Sequence, residues 1–518
     1  MSTHDTTENA PHRPNDTHPT DRRVSTMERF ARGAHALLSA GALAALVLTT
    51  TLSGDAAAQS GGKIVLKPGK IITVAGEDIQ GGTIVIVDGR ITAIGADVEV
   101  PWDAVVHEYP DLVAFPGWVE SDSNRGMDRP NENIDVAPFL DVRDSIDPVN
   151  FYFEDSLRWG VTTINIQHGN SCVIGAQGAI VKPHGLTVAQ MLVRPRSGIK
   201  MSASPKSGKS PATQAQALRE AFGSLRRELQ NLVQEKKDGN DRARREALYQ
   251  GRDLEGEEAK GKKMKGKAWT VEGLELIPRV EIDEKLLPLL GIVEGDTPVF
   301  FDAESPMAVH VALSIARENG FLEKTTLVLG PSCWKAADEI KKAGVSVILS
   351  PQLVHEERDP VTGEEKETFV PKVFHDKGIP FALQSRNQAE NSLSFQVASC
   401  IGLGLDRASA IAAATTTPAR ILGLEKRVGT LEKGKDGNVV LYSGDPLSIA
   451  SHVEFVVIEG NLVYDRSKDV RNKFLLEGVT PPNTAPSDEL EGGGDIHASE
   501  NAGAAKDGKD GKGKNEEK

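Results

Sequence analysis

The sequence predicts an α/β fold, a parallel sheet covered by helices with β-rich segments at both ends, and three observations carry that prediction. The middle of the chain alternates apolar strand-like runs with helical stretches, as in TPVFFDAES (297–305) before PMAVHVALSIARENG (306–320) and TTLVLG (325–330) before CWKAADEIKKAG (333–344). Strands separated by helices run parallel, because the crossover brings the chain back to the same end of the sheet. The two ends instead carry short runs of alternating Ile and Val broken by tight-turn residues. The third observation is size: 518 residues with 39% hydrophobic side chains are enough for one barrel of roughly 250 residues or more plus additions.

Residues 1–58 read as a polar leader and a secretory signal peptide. Arg22, Arg23, Arg29 and Arg32 precede an apolar run from Ala36 to Leu52, and Ala56, Ala57 and Ala58 supply a small-residue cleavage site before Gln59. Export to the periplasm or cell envelope is expected, with membrane contact only through an uncleaved signal segment. Residues 59–112 make the first β part, where Asp88-Gly89 marks a two-residue hairpin turn. Residues 113–418 hold the alternating strands and helices, and a charged insertion near 236–268 reads as a helix running into a solvated Gly/Lys-rich loop. Residues 419–476 return to the β style, with Glu459-Gly460 as a second turn. Strands from both ends are expected in one small flanking domain, because a lone hairpin is marginal in water. The tail, 477–518, has too few apolar residues to offset the entropy of ordering it and is expected to be disordered.

Composition excludes several classes. Sixty Lys plus Arg against seventy-four Asp plus Glu give a formal net charge of −14, which argues against nucleic acid as a partner. The three cysteines, Cys172, Cys333 and Cys400, are odd in number and widely spaced, so neither a disulfide framework nor a Cys-rich zinc site is expected. The charged loop HEERDPVTGEEKETF (355–369) reads as a cover for the strand ends.

Several phrases carry a resemblance. The segments GKIITVAGEDIQGGTIVIVDGRITAIG (69–95), VAFPGWVES (113–121) and TTTPARILGLEKRVGTLEKGKDGNVVLYSGDPL (415–447) resemble, in order, the amidohydrolase superfamily and especially its imidazolonepropionase-like branch. NSCVIGAQGAIVKPHG (170–185) followed by GIKMSASPKSGKS (198–210) is similar to a subgroup of large exported bacterial members. The resemblance implies a (β/α)8 TIM-like barrel with a small flanking β-sandwich formed by both ends of the chain. It also implies metal-dependent hydrolysis of C–N bonds in non-peptide or cyclic amides, with one or two divalent metals activating water.

The positions that match the family's ligands do not carry ligands. After Pro116-Gly117 the family has His-x-His, where this chain places Asp122 and Asn124. The next expected His aligns with Asp302, with Glu304 two residues on, and a third falls at Leu329. The expected terminal Asp aligns with Arg386, a fixed cation that neither ligates a metal nor acts as a general base. The coordinated loss points to weakened or lost catalysis and a retained small-molecule pocket, with Arg386 expected to pair with Asp122 or Asp302 and with Asn124 and Ser385 in support. An alternative is an active hydrolase with Asp122, Asp302, Glu304 and His168 around one divalent metal. A second alternative is a non-catalytic envelope scaffold. Lys182 and Lys200 each follow an apolar run, and a lysine at such a place is carboxylated to bridge metals in some members of the superfamily.

Overall fold

A computed structural model describes residues 62–238, 261–386 and 391–478. The expected leader and signal segment, residues 239–260 of the charged insertion and the tail beyond residue 478 lie outside the described residues. No described helix is long and apolar enough to cross a membrane.

The described residues open with five strands, β1 (Lys63–Ile71), β2 (Ile79–Gln80), β3 (Thr83–Val87), β4 (Arg90–Gly95) and β5 (Val105–Phe115). Three more strands come after the barrel, β16 (Val439–Tyr442), β17 (Val453–Ile458) and β18 (Asn461–Asp465). These form one continuous sheet in the order β18-β17-β16-β5-β1-β3-β4, with β2 paired to β1. The join is β16 on β5, antiparallel, with Leu441 opposite Ala114. One apolar core, including Ile64, Ile84, Ile91, Val439 and Val457, draws on strands from both ends. Hydrogen bonding links all eight strands of the expected flanking domain into one sheet. Both predicted turns take positive φ at each central residue, 49° and 76° at Asp88-Gly89 and 48° and 79° at Glu459-Gly460, the conformation whose twist matches the flanking strands. Between β1 and β5 the register shifts after Pro68, and a Cβ on Gly69 would lie 1.9 Å from the Pro110 carbonyl oxygen, so glycine alone fits there.

The middle supplies β6 (Trp118–Ser123), β7 (Val161–Ile166), β8 (Ile174–Val181), β9 (Leu192–Ser202), β10 (Val299–Ala303), β11 (Thr325–Leu329), β12 (Ser346–Leu349) and, after a hairpin, β15 (Phe381–Leu383). They form an eight-stranded sheet in the order β15-β12-β11-β10-β9-β8-β7-β6. The hairpin, β13 (Val354–Arg358) with β14 (Glu365–Phe369), stands apart as a two-stranded sheet with exposed, mostly charged side chains. Helices α1 (Phe151–Arg158), α2 (Pro211–Asp238), α3 (Pro306–Glu318), α4 (Ala337–Ala343) and α5 (Leu393–Gly402) lie between or after barrel strands. Helix α3 follows β10 at Ser305, whose hydroxyl accepts from the Ala308 amide before Pro306 opens the first turn.

The sheet departs from strict alternation at one place. β8 runs antiparallel to both β7 and β9, while the remaining pairs are parallel. Residues 167–173 are too few to form a helical crossover, so the chain reverses as a meander there. The expected uniform (β/α)8 order is interrupted accordingly.

The barrel is nearly closed, and its last gap is bridged without a ladder. Between β6 and β15, Ala413 accepts from the Leu383 amide at 2.9 Å and Ala414 from the Val119 amide at 3.0 Å. Higher up, the Ser121 hydroxyl donates to the Leu383 carbonyl at 2.7 Å. Inside, Val119, Ile180, Phe300, Val328, Ile348 and Ala382 form an apolar layer from six strands, and Leu422, Leu424 and Val428 cover it. Because that segment covers one end, the polar residues following those strands gather at the other. The covered end is also tied to the flanking sheet: Lys182, buried, donates to Asp436 at 2.9 Å and Asn438 at 3.0 Å, and Arg427 bonds the same carboxylate.

Candidate functional site

The polar layer follows from strand alternation. Asp302 lies two residues beyond Phe300 and Gln384 two beyond Ala382, so both continue faces that begin in the apolar layer. Asp122 and Lys200 are both buried and form an ion pair, Lys200 Nζ to Asp122 Oδ2 at 2.6 Å. The other oxygen, Oδ1, is buried without a hydrogen bond. A buried ion pair is held against a large desolvation cost, so losing either partner strands a charge in low dielectric. Asn124 is half-buried one residue beyond β6.

Asp302, 1% exposed, accepts from Asn170 Nδ2 at 2.9 Å and from the Ser202 hydroxyl at 3.1 Å. Glu304 lies at the rim and pairs with Arg386 at 3.3 Å, both side chains close to half exposed. Desolvation, then the neighbouring Asp302 charge, holds the Glu304 carboxyl above its ordinary value.

The expected pairing of Arg386 with Asp122 or Asp302 is thereby corrected. Arg386 takes a left-handed φ of 55°, so the chain turns out of the strand direction and the guanidinium reaches the rim carboxylate instead. The cation inside the barrel is Lys200. Ser385, expected beside Arg386, serves Glu120: its amide donates to both carboxylate oxygens at 3.1 Å and its hydroxyl bonds one of them. Glu120 is fully buried, and burial is the main cause that pushes its pKa up to about 7.

His168 is buried, and desolvation lowers its pKa, so the ring is neutral near pH 7. Its Nδ1 donates to the Gly169 carbonyl at 2.7 Å, leaving Nε2 facing the Cys172 sulfur at 3.9 Å. Burial raises the Cys172 thiol, which keeps it protonated.

The alternative metal set fails on this geometry. Among the described residues, no group of three or more His, Cys, Asp or Glu side chains is placed to hold a metal ion. Asp122 is held by an ammonium, Asp302 by neutral donors, Glu304 by a guanidinium, and His168 points both ring nitrogens at other partners. The divalent metals implied by the resemblance do not fit this donor set. Lys200 is equally unsuited to carboxylation, since its nitrogen is engaged as a cation; Lys182 lies at the opposite end of the barrel.

Sequence reasoning passed over Glu120 and placed Lys200 only as a strand-end lysine. The one available signal was an ionisable residue inside an otherwise apolar run, as in WVES and GIKMS, where burial demands a partner.

Comparison with known proteins points in one direction. A model of a family described as an amidohydrolase family matches residues 393–464. The amidohydrolase tasK of Hapsidospora irregularis is 30% identical over 96 residues, which is 18% of this chain and 10% of that protein. The match therefore spans about a tenth of that relative's length. The crystal structure of an amidohydrolase from Thermotoga maritima MSB8 superposes with a TM-score of 0.63 at 21% identity, covering 78% of this chain and 100% of that one. The fold is thus mixed α/β with a nearly closed eight-stranded barrel sheet, of the kind found in amidohydrolases.

Proposed function

We propose that this chain is an exported member of the amidohydrolase superfamily, from its imidazolonepropionase-like branch, that has lost metal-dependent hydrolysis of C–N bonds and keeps the barrel mouth as a small-molecule binding site. The family-model match and the shared fold support the superfamily. The single observation that carries the loss of hydrolysis is the Lys200–Asp122 ion pair, 2.6 Å long, at the first ligand position. An ammonium already bonded to that carboxylate provides the positive charge a metal would bring, but it activates no water. The signal segment supports export to the periplasm or envelope.

The test is elemental analysis of the purified protein with an assay on amides and lactams, with and without chelator. The expected outcome is well under one metal per chain and no chelator-sensitive turnover. Stoichiometric metal with chelator-sensitive hydrolysis would sink the reading.

A further inference from the structure

Asp122, Asp302 and Glu304 meet Lys200, Arg386 and Lys206 at the barrel mouth, and among the described residues Lys206 has no ion pair or hydrogen bond. Asp122 is bonded to Lys200 and Glu304 to Arg386, while Asp302 is satisfied by Asn170 and Ser202. The remaining cation is Lys206, in the loop between β9 and α2. That loop is fixed: the Ser204 hydroxyl accepts from the Glu304 amide at 2.8 Å, and the Lys209 amide donates to the Lys206 carbonyl at 2.8 Å. Lys206 itself is half-buried, and among the described residues its ammonium forms no ion pair or hydrogen bond.

We propose that Lys206 anchors a single carboxylate group of a small ligand at the barrel mouth. The inference rests on the binding-site reading above and names the ligand's chemistry. A half-buried ammonium without a partner is an unfavourable arrangement that an entering anion relieves. The charged and titratable groups around it are Asp302, Glu304, Lys200, Cys172 and His168. Among the described residues none of them forms an ion pair or hydrogen bond with it: Asp302 and Glu304 attract it from a distance, Lys200 repels it, and the thiol and the imidazole are uncharged. Burial, the largest cause, depresses the Lys206 pKa in the ligand-free protein. A bound anion reverses part of that shift, so binding takes up protons wherever the ligand-free lysine is partly deprotonated.

A carboxylate fits better than a phosphate. The Arg386 guanidinium, the group that matches phosphate in a bidentate fork, already faces Glu304. Lysine offers a point charge on a flexible stem, enough for one singly charged group.

The experiment is titration calorimetry on the full chain with sodium propionate, propionamide and inorganic phosphate, repeated on K206M and K206R. Propionate is expected to bind with proton uptake, propionamide about tenfold or more weaker, and phosphate no better than propionate. K206M should lose about tenfold in propionate affinity while K206R retains most of it, and K206M should leave the ligand-free unfolding midpoint unchanged or raised. Equal binding of propionate and propionamide, unchanged binding by K206M, preference for phosphate, or a K206M that is destabilised or unfolded would each overturn the inference. The last result would show a structural lysine. Metal content is read separately, so a metal-loaded chain refutes the parent reading without deciding the carboxylate titration.

Discussion

Lys200→Met is expected to destabilise the folded chain by about 3–5 kcal/mol, measured as a shift of the denaturation midpoint at constant slope. The variant leaves the Asp122 carboxylate buried without a counter-ion, one oxygen of which already lacks a hydrogen bond. The double variant K200M/D122L removes both charges and should recover most of the loss, because an apolar pair of similar volume is often as stable as the ions it replaces. A K200M chain as stable as the parent would show that the pair is solvated and that the barrel mouth is open at this point.

The second large effect is a pH dependence centred on Glu120. Its pKa is pushed from 4.5 up to about 7 by burial. Between those values the folded chain keeps a proton that the unfolded chain has released, so this group's contribution makes stability fall as pH rises from about 4.5 to about 7. The full penalty, on the order of 3 kcal/mol, is present above that window and absent below it. Glu120→Gln should flatten the slope, since a carboxamide oxygen still accepts from Ser385 and carries no charge. Denaturant titrations of parent and variant at pH 5 and pH 8 would show it: an identical difference between the two pH values in both chains would rule out Glu120 as the source.

Much of the framework was legible because it depends on local periodicity. The runs GVTTINIQ, TPVFFDAES and TTLVLG became β7, β10 and β11, and Asp88-Gly89 and Glu459-Gly460 became turns, since positive φ is a property of those residues themselves. The direction of β8 was not legible. GAQGAIV reads as a buried strand whichever way it runs, and only the short link before it hints at reversal. The positions that the resemblance aligns with ligands were readable residue by residue, but the partners of the residues there were not. Asp122 and Lys200 are 78 positions apart, Glu304 and Arg386 are 82, and Glu120 and Ser385 are 265. Electrostatic reasoning identified acids facing a cation at the barrel mouth, yet assigned the wrong cation, because a backbone turn at Arg386 decides where its guanidinium goes and Lys200 looked like one more strand-end lysine.

The tie between Lys182 and Asp436 bears on how the molecule comes apart. Lys182 belongs to the barrel side, Asp436 and Asn438 lead into the flanking sheet, and Arg427 holds the same carboxylate. Peeling the flanking sheet away would leave an ammonium stranded at a closed barrel end, and melting the barrel would strip β16 of its anchored approach. Neither part can lose structure without raising the free energy of the other, so heating should give one cooperative transition in which calorimetric and van't Hoff enthalpies agree.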